Sequence, residues 1–296
     1  MKVALVVIGR LENRYAVEFV EYYKQLGIDT IFIVDNNYDG EEYFEDVLQK
    51  YIDEKFIYIL HYRNNQEEHL QVNMYIKIYQ KFKTQFDWFM FFDFDEFLTL
   101  TEDKNIKDYL SRDCFKDKNQ ILINWKIYTD NNLIYDDGRP CLERFTTPMD
   151  IYKCVGYKNI AENMHVKCIL RGNINGDIIM KDPHHANGTI INQTSCNNKG
   201  DIIPEYYCGP WQEINYELAY IKHFTTKTID EWFSIKYKKG VGDRDLESFF
   251  ETYPKERFFK YNDITDEKLN YLKDKGIKIN FDALNHWYEG GISGNR

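Results

Sequence analysis

The first hundred residues alternate two hydrophobic periodicities. "KVALVVIG" (2–9), "TIFIVD" (30–35), "FIYILHY" (56–62) and "WFMFF" (88–92) are short, nearly continuous apolar runs, the pattern of strands buried on both faces. Between them, "RYAVEFVEYYKQLG" (14–27), "EEYFEDVLQKY" (41–51) and "QEEHLQVNMYIKIYQKF" (66–82) repeat their apolar residues at helical spacing. In the first of these Ala16, Phe19, Val20 and Tyr23 share one face, and Gly27 ends the helix. Strands separated by helices of this length predict βαβ units, hence an α/β fold with a parallel sheet covered on both faces. Such sheets bind ligands outside the carboxyl ends of their strands. "QILINWKIY" (120–128) predicts a further central strand, and residues 243–277 read as short helices rich in Phe and Tyr.

The composition bounds the function. A chain of 296 residues, 43% of them apolar, buries a full core without disulfide or metal staples. No segment approaches the roughly 20 apolar residues of a membrane span. The opening "MKVALVVIGRLENR" lacks a small-residue cleavage site and runs at once into Arg10, Glu12 and Arg14, so it reads as a first strand rather than a secretion signal. The cysteines, at 114, 141, 154, 168, 196 and 208, form no C-x-x-C pair. Neither a zinc knuckle nor a redox dithiol is indicated, and reduced thiols in a cytoplasmic protein are expected. The formal net charge of −10 argues against a nucleic-acid partner, which requires a basic face. One local basic stretch, "KHFTTKTIDEWFSIKYKKG" (222–240), reads equally as a solvated helix face or as an anion-binding element.

Candidate chemistry gathers at the predicted strand ends. The fourth strand runs into Asp93, Asp95 and Glu96. If the chain stays extended, Asp93 and Asp95 share a face about 7 Å apart while Glu96 points away. Two such carboxylates repel unless a cation joins them, and oxygen-only ligands select Mg²⁺ or Mn²⁺. The plainer alternative is a solvated strand end with a helix-capping Asp. After the first strand, Gly9 permits close backbone approach and Arg10 offers a fork for phosphate or carboxylate, or else a salt bridge at a helix entry. After the second, Asp35 is placed to accept from a base or ribose, or else to close an Asx-turn. No G-x-G-x-x-G or G-x-x-x-x-G-K-[ST] occurs, so phosphate charge must be met by a metal and by Arg or Lys side chains.

Three separated segments together resemble nucleotide-sugar glycosyltransferases of the GT-A fold, close to families 2 and 92. "RLENRYAVEFVEYYKQLGIDTIFIVDNNYDG" (10–40) echoes that group's strand, K-N-E-like triplet and D-N-x-S-x-D loop. "QVNMYIKIYQKFKTQFDWFMFFDFDEFL" (71–98) echoes Q-x-x-A-Y-N followed by D-x-D-E-F, and "HFTTKTIDEWFSIKYKKG" (223–240) echoes H-Y-x-T-K-S-x-E-E-F-x-x-K-x-x-R-G. Leu11, Tyr38 and Lys239 depart from the pattern, at its Asn, Ser and Arg positions.

The resemblance implies a GT-A catalytic domain over 1–242, with a nucleotide-binding half (1–100) and an acceptor half (101–242), then a helical extension over 243–296. It implies a D-x-D pair at Asp93 and Asp95, a Mn²⁺ or Mg²⁺ shell completed by His223, and diphosphate contacts from Lys227 and Lys236. Arg10, Glu12, Asp35, Gln71 and Asp93 fall on the nucleotide side. The reaction implied is transfer, with inversion, from a UDP-linked sugar to a saccharide or lipid-linked acceptor in bacterial surface polysaccharide synthesis. An inverting enzyme needs a carboxylate base. Glu143 in "LERF" and Glu213 in "GPWQEIN" are the candidates, each with the plainer reading of an exposed helix carboxylate. His184 and His185 in "DPHHANG" read as a polar turn sooner than as a second metal site. A lipid-linked acceptor would bring peripheral membrane contact at the cytoplasmic face, with 243–296 as its candidate, although mixed charges there favour packing on the catalytic domain. Two rivals stand. A sugar-nucleotide nucleotidyltransferase needs a Gly-rich basic loop that "GRLEN" poorly matches, and a non-catalytic carbohydrate-binding protein would use the aromatics for stacking.

Overall fold

The computed structural model describes residues 1–65, 67–150, 162–176, 178–205, 208–240 and 255–282. Parts of the expected C-terminal extension, 243–254 and 283–296, lie outside the described residues. The chain divides into two compact units, Met1–Trp125 with Met164–Lys222, and Lys126–Asn163 with His223–Arg296.

The first unit is built on the alternation seen in the sequence: β1 (Val3–Gly9), α1 (Asn13–Leu26), β2 (Thr30–Asp35), α2 (Glu45–Asp53), β3 (Ile57–His61), α3 (Leu70–Phe82) and β4 (Trp88–Phe91). β5 (Glu96–Leu100), β6 (Gln120–Ile127), β7 (Val166–Arg171), the hairpin β8 (Ile179–Asp182) and β9 (His185–Asn187), β10 (Ser195–Asn197) and β11 (Ala219–His223) follow. The main sheet runs β3-β2-β1-β4-β7-β6-β11-β5, with β10 added on β6. β3, β2, β1 and β4 are parallel, β10 is parallel to β6, and β7 is antiparallel to both its neighbours. It is the mostly parallel α/β sheet expected of this sequence.

Burial explains the pattern. Every residue of β2 and β4 is buried, so neither strand can alternate polar and apolar positions. α1 buries Tyr15, Ala16, Phe19, Val20 and Tyr23, and Gly27 stops it in the left-handed region (φ +95), its N–H donating to the carbonyls of Lys24 and Tyr23. Tyr75, Ile78 and Tyr79 of α3 pack with Val6, Phe32, Phe89 and Phe91 of the sheet.

One expectation fails in a way that shapes the site. The chain does not stay extended past β4. Residues 93–96 form a tight turn, closed by the Glu96 N–H donating to the Asp93 carbonyl (3.1 Å). The same-face argument for Asp93 and Asp95 therefore lapses. The bend arises because Phe94 is drawn into the core (3% exposed) and the Asp93 N–H donates back to Glu96 Oε2 (3.0 Å).

In the second unit, helical segments Ile229–Glu231, Trp232–Lys236 and Tyr237–Lys239 follow one another directly. Ile229, Trp232 and Phe233 form a core with Phe258, Phe259, Tyr271 and Leu272 from the short helices Phe258–Tyr261 and Asp266–Asp274. Among the described residues no helix is long and apolar enough to cross a membrane.

Candidate active site

The order of the parallel strands locates the site. The chain winds β1 to β2 to β3 in one direction, then returns to place β4 on the other side of β1. Ligands of open α/β sheets bind at such a reversal, outside the carboxyl ends of the strands. Here those ends are Gly9 and Arg10 after β1, Asp35 at the end of β2 and Asp93 after β4. Gly9 does permit a close approach, but Phe94 makes it. A methyl group on Gly9 would lie 2.5 Å from the Phe94 ring and 2.9 Å from that of Phe44. Phe94 stacks on Phe44 (centroids 5.4 Å, 11°) and tilts against Phe19 at 4.8 Å. The apolar residue of D-F-D is thus the pin that holds its two acids at the sheet edge.

Asp93 is held on both oxygens. Oδ1 accepts from Gln71 Nε2 (2.7 Å) and Oδ2 from Lys167 Nζ (2.8 Å). Gln71 also donates to the Tyr75 hydroxyl (2.8 Å), which donates to the Phe92 carbonyl (3.3 Å). Lys167, on β7, has a wholly buried side chain whose Nζ is also 3.7 Å from Glu96 Oε2. Burial opposes the charge on Lys167, but Asp93 and then Glu96 more than offset it, and its affinity for the proton rises. Burial pushes the Glu96 carboxyl well above the usual carboxylate range, against the pull of Lys167. Asp93, Lys167 and Glu96 thus form one coupled cluster, with Lys167 between the two carboxyl groups. Asp95, half-buried, occupies the same turn.

A second cluster ties the loops after β1 and β2 together. Asp35 is fully buried. Oδ1 accepts from the backbone N–H of Asn37 (3.0 Å), an Asx-turn, and from its Nδ2 (2.7 Å). Oδ2 accepts from Arg63 Nη1 (2.8 Å), with His61 Nδ1 at 3.2 Å. Burial works against the charge, yet Arg63, Asn37 and His61 together hold this carboxyl below its ordinary value. Asn37 Oδ1 accepts the N–H of Leu11 (2.8 Å), and Leu11 itself sits at φ +55. Arg10 grips Glu41 with two nitrogens (Nε to Oε2 3.0 Å, Nη2 to Oε1 2.7 Å) and lies 3.9 Å over the Tyr38 ring. Its fork thus meets a carboxylate of the protein, the salt-bridge alternative. Glu12 is the residue before α1, its carbonyl accepting the N–H of Tyr15 and Ala16.

The sequence profile of glycosyltransferase family 92 matches residues 12–238. The chain belongs to glycosyltransferase family 92. A search of curated protein sequences returns no match. Among solved structures, one of S. aureus TarS residues 1–349 is 13% identical, covering 93% of this chain and 79% of that one, with a TM-score of 0.41. Its complex with UDP-GlcNAc gives 12%, 97%, 78% and 0.39. A longer TarS structure is 13% identical with a TM-score of 0.39, and the match covers 80% of this chain but only 38% of TarS.

The late family motif lies in the second unit. His223 is 7% exposed, and its carbonyl accepts the N–H of Tyr128 (3.1 Å). Lys227 is buried in the left-handed region (φ +55), rare for a residue with a side chain. Thr228 and Glu231 then form a capping box, and Lys236 ends a single π-helical turn, Trp232–Lys236. Glu231 holds Arg144 with two bonds (2.8 and 3.0 Å), both side chains being buried. Glu143, beside Arg144, is exposed, and so is Glu213 in the first unit.

His184 lies in the turn of the β8–β9 hairpin and His185 begins β9. The His185 ring lies 3.2 Å from Asp182 and 3.0 Å from the Asn187 amide, and His184 Nδ1 donates to the Val166 carbonyl (2.9 Å). Among the described residues no group of three or more His, Cys, Asp or Glu is arranged to hold a metal ion. Lys167, Asn37, Arg63 and Glu41 escaped the sequence reading. Lys167 left one trace, a lysine inside the apolar run "HVKCIL" (165–170).

Proposed function

We propose that the chain transfers a sugar from a nucleotide-sugar donor to a saccharide or glycolipid acceptor, with the donor diphosphate at the D-F-D turn. What supports this reading most is Asp93, at the topological reversal of the sheet, fixed on one oxygen by Gln71 and on the other by a buried lysine. A carboxylate so held cannot swing, so it presents a constant acceptor edge to the ribose hydroxyls of a donor.

Asp95 lies in the same turn, and its carboxylate is the group we assign to a divalent ion. One carboxylate plus substrate phosphates is the usual way Mg²⁺ is held, and Mn²⁺ accepts the same oxygens. A Mn²⁺ or Mg²⁺ ion on Asp95 and the donor diphosphate would supply stabilisation of the charge that builds on the departing nucleoside diphosphate. The chain's own part is to hold the Asp93 carboxyl in place through Gln71 and Lys167, to set the positive charge of Lys167 against the acids of the turn, and to hold the turn through Phe94.

Inverting transfer needs a base for the acceptor hydroxyl. Glu213 is the candidate in the unit that holds Asp93, and Glu143 the candidate in the other. Replacing the true base by Gln lowers kcat by about 10²–10⁴ with little change in KM.

The deciding experiment is a panel of nucleotide sugars, headed by UDP-GlcNAc and other UDP-hexoses, assayed for hydrolysis with Mn²⁺, with Mg²⁺ and with chelator. Asp95→Ala should abolish turnover while far-UV dichroism stays unchanged. His223→Ala, Lys227→Ala and Lys236→Ala, assayed alongside, test the roles the family motif gives them. Full turnover by Asp95→Ala would overturn the metal role of Asp95, and binding of sugars without any nucleotide would favour the non-catalytic rival.

A further inference from the structure

A further cluster lies at the start of β7, where His165 immediately precedes the strand, two residues before Lys167. Trp125 lies opposite His165, one rung beyond the Asn124–Val166 pair, its N–H donating to the His165 carbonyl (2.8 Å). The two rings stack at 4.9 Å and 23°. His184 closes on both, 5.2 Å from Trp125 and 5.4 Å from His165. Trp211 bridges to His165 from the far side, rings 5.6 Å apart, and its indole N–H donates to His165 Nε2 (2.7 Å).

Trp211 is nevertheless 47% exposed. Its one polar atom is spent inside the protein, so what it offers water is ring. An indole anchored at its nitrogen and open on its surface is a costly thing to leave bare. It is also stiff, so a ligand stacked on it loses little ordering entropy.

The surroundings are polar and suit hydroxyls. His184 Nδ1 can only donate to the Val166 carbonyl, so it carries the hydrogen and leaves Nε2 as an acceptor. Burial, then the positive charge of Lys167, lowers this imidazole to about 3, which keeps it neutral. Gln212 and the exposed carboxylate of Glu213 follow Trp211 directly. A single ring amid hydrogen-bonding groups fits a ligand with an apolar face and a polar edge, and is too small for a protein interface.

We propose that Trp211, anchored by His165 and backed by Trp125 and His184, is the platform on which a pyranose ring of the acceptor stacks. The proposal rests on the transferase reading for the word acceptor, but the stacking site itself stands apart from it.

The test is saturation-transfer NMR on the full chain with methyl hexopyranosides of glucose, galactose, mannose and N-acetylglucosamine, in saturating UDP. At least one pyranoside should receive saturation on the C–H protons of one ring face. Trp211→Ala should weaken that binding about tenfold, whereas Trp211→Phe, which keeps a ring, should retain most of it. UDP affinity and the unfolding midpoint should hold in both variants. Absence of saturation on every pyranoside, or equal affinity in Trp211→Ala, overturns the platform. So does joint loss of pyranoside binding, UDP binding and thermal stability in both variants, which makes Trp211 structural. Pyranoside binding without UDP binding keeps the platform and overturns the transferase reading instead.

Discussion

Replacing Lys167 by Met tests the buried pair directly. Met has nearly the length of Lys and leaves little void, so the change removes a charge rather than a volume. The side chain of Lys167 is wholly buried, and that of its partner Asp93 is 34% exposed. Removing one member of a buried ion pair costs about 3–5 kcal/mol, because the other charge is stranded. Water reaches a third of Asp93, so screening brings the expected loss down to about 2–3 kcal/mol. For a unit of this size that lowers the unfolding midpoint by about 5–10 °C. The pH dependence follows from the sign of the shift. Lys167 binds its proton more tightly folded than unfolded, so its contribution is complete below the ordinary lysine value near ~10.4 and fades as pH rises past it. The deficit of Lys167→Met should thus be full at neutral pH and shrink in alkali. Calorimetry on Lys167→Met, Asp93→Asn and the double variant closes the cycle. Asp93→Asn should be less damaging in the Met background by about 1 kcal/mol or more. Additivity within about 0.5 kcal/mol would refute the reasoning.

Gly9→Ala puts a methyl group 2.5 Å from the Phe94 ring, and should cost about 1–3 kcal/mol and reduce turnover by displacing the D-F-D turn. Gly9→Ala/Phe94→Leu should recover part of the stability, and failure to do so would place the clash elsewhere. Leu11 holds a left-handed backbone, which Asn tolerates and Ala does not, so Leu11→Asn should exceed Leu11→Ala in stability by about 0.5–1 kcal/mol in urea titration. The lowered carboxyl of Asp35 stabilises the fold above the ordinary carboxylate range and loses that effect as pH falls through its folded value. Arg63→Met should therefore move acid unfolding to higher pH, and an unmoved midpoint would show that Asn37 and His61 suffice.

The sheet was legible because β1, β2 and β4 are buried on both faces, and residues so placed must be apolar whatever they touch. Gly27 and Asp93 were legible as local chemistry at an element's end, and Gln71 only through the family resemblance. The partners were not. Periodicity reports which face a residue occupies, never which residue stands opposite. Arg10 and Glu41 are 31 positions apart, and Asp93 and Lys167 are 74. The turn after β4 was hidden because Phe94, read along the strand, is simply another apolar residue. Its burial between Gly9, Phe44 and Phe19 belongs to three other elements. Units assembled from two stretches each leave no linker composition to mark them.

β7 runs antiparallel beside β4, so its first residues, rather than its last, reach the carboxyl edge of the parallel strands. The order of synthesis then matters. The four parallel strands and their helices emerge complete, acids included, while the lysine that neutralises Asp93 is still 74 residues from the ribosomal exit. Closing so long a loop is entropically slow to be rewarded. Docking of β7 is thus a late event, and until it occurs the nascent sheet presents an open edge at β4 and an uncompensated carboxylate. The step that completes the site is the same step that protects the half-made protein from pairing with another chain.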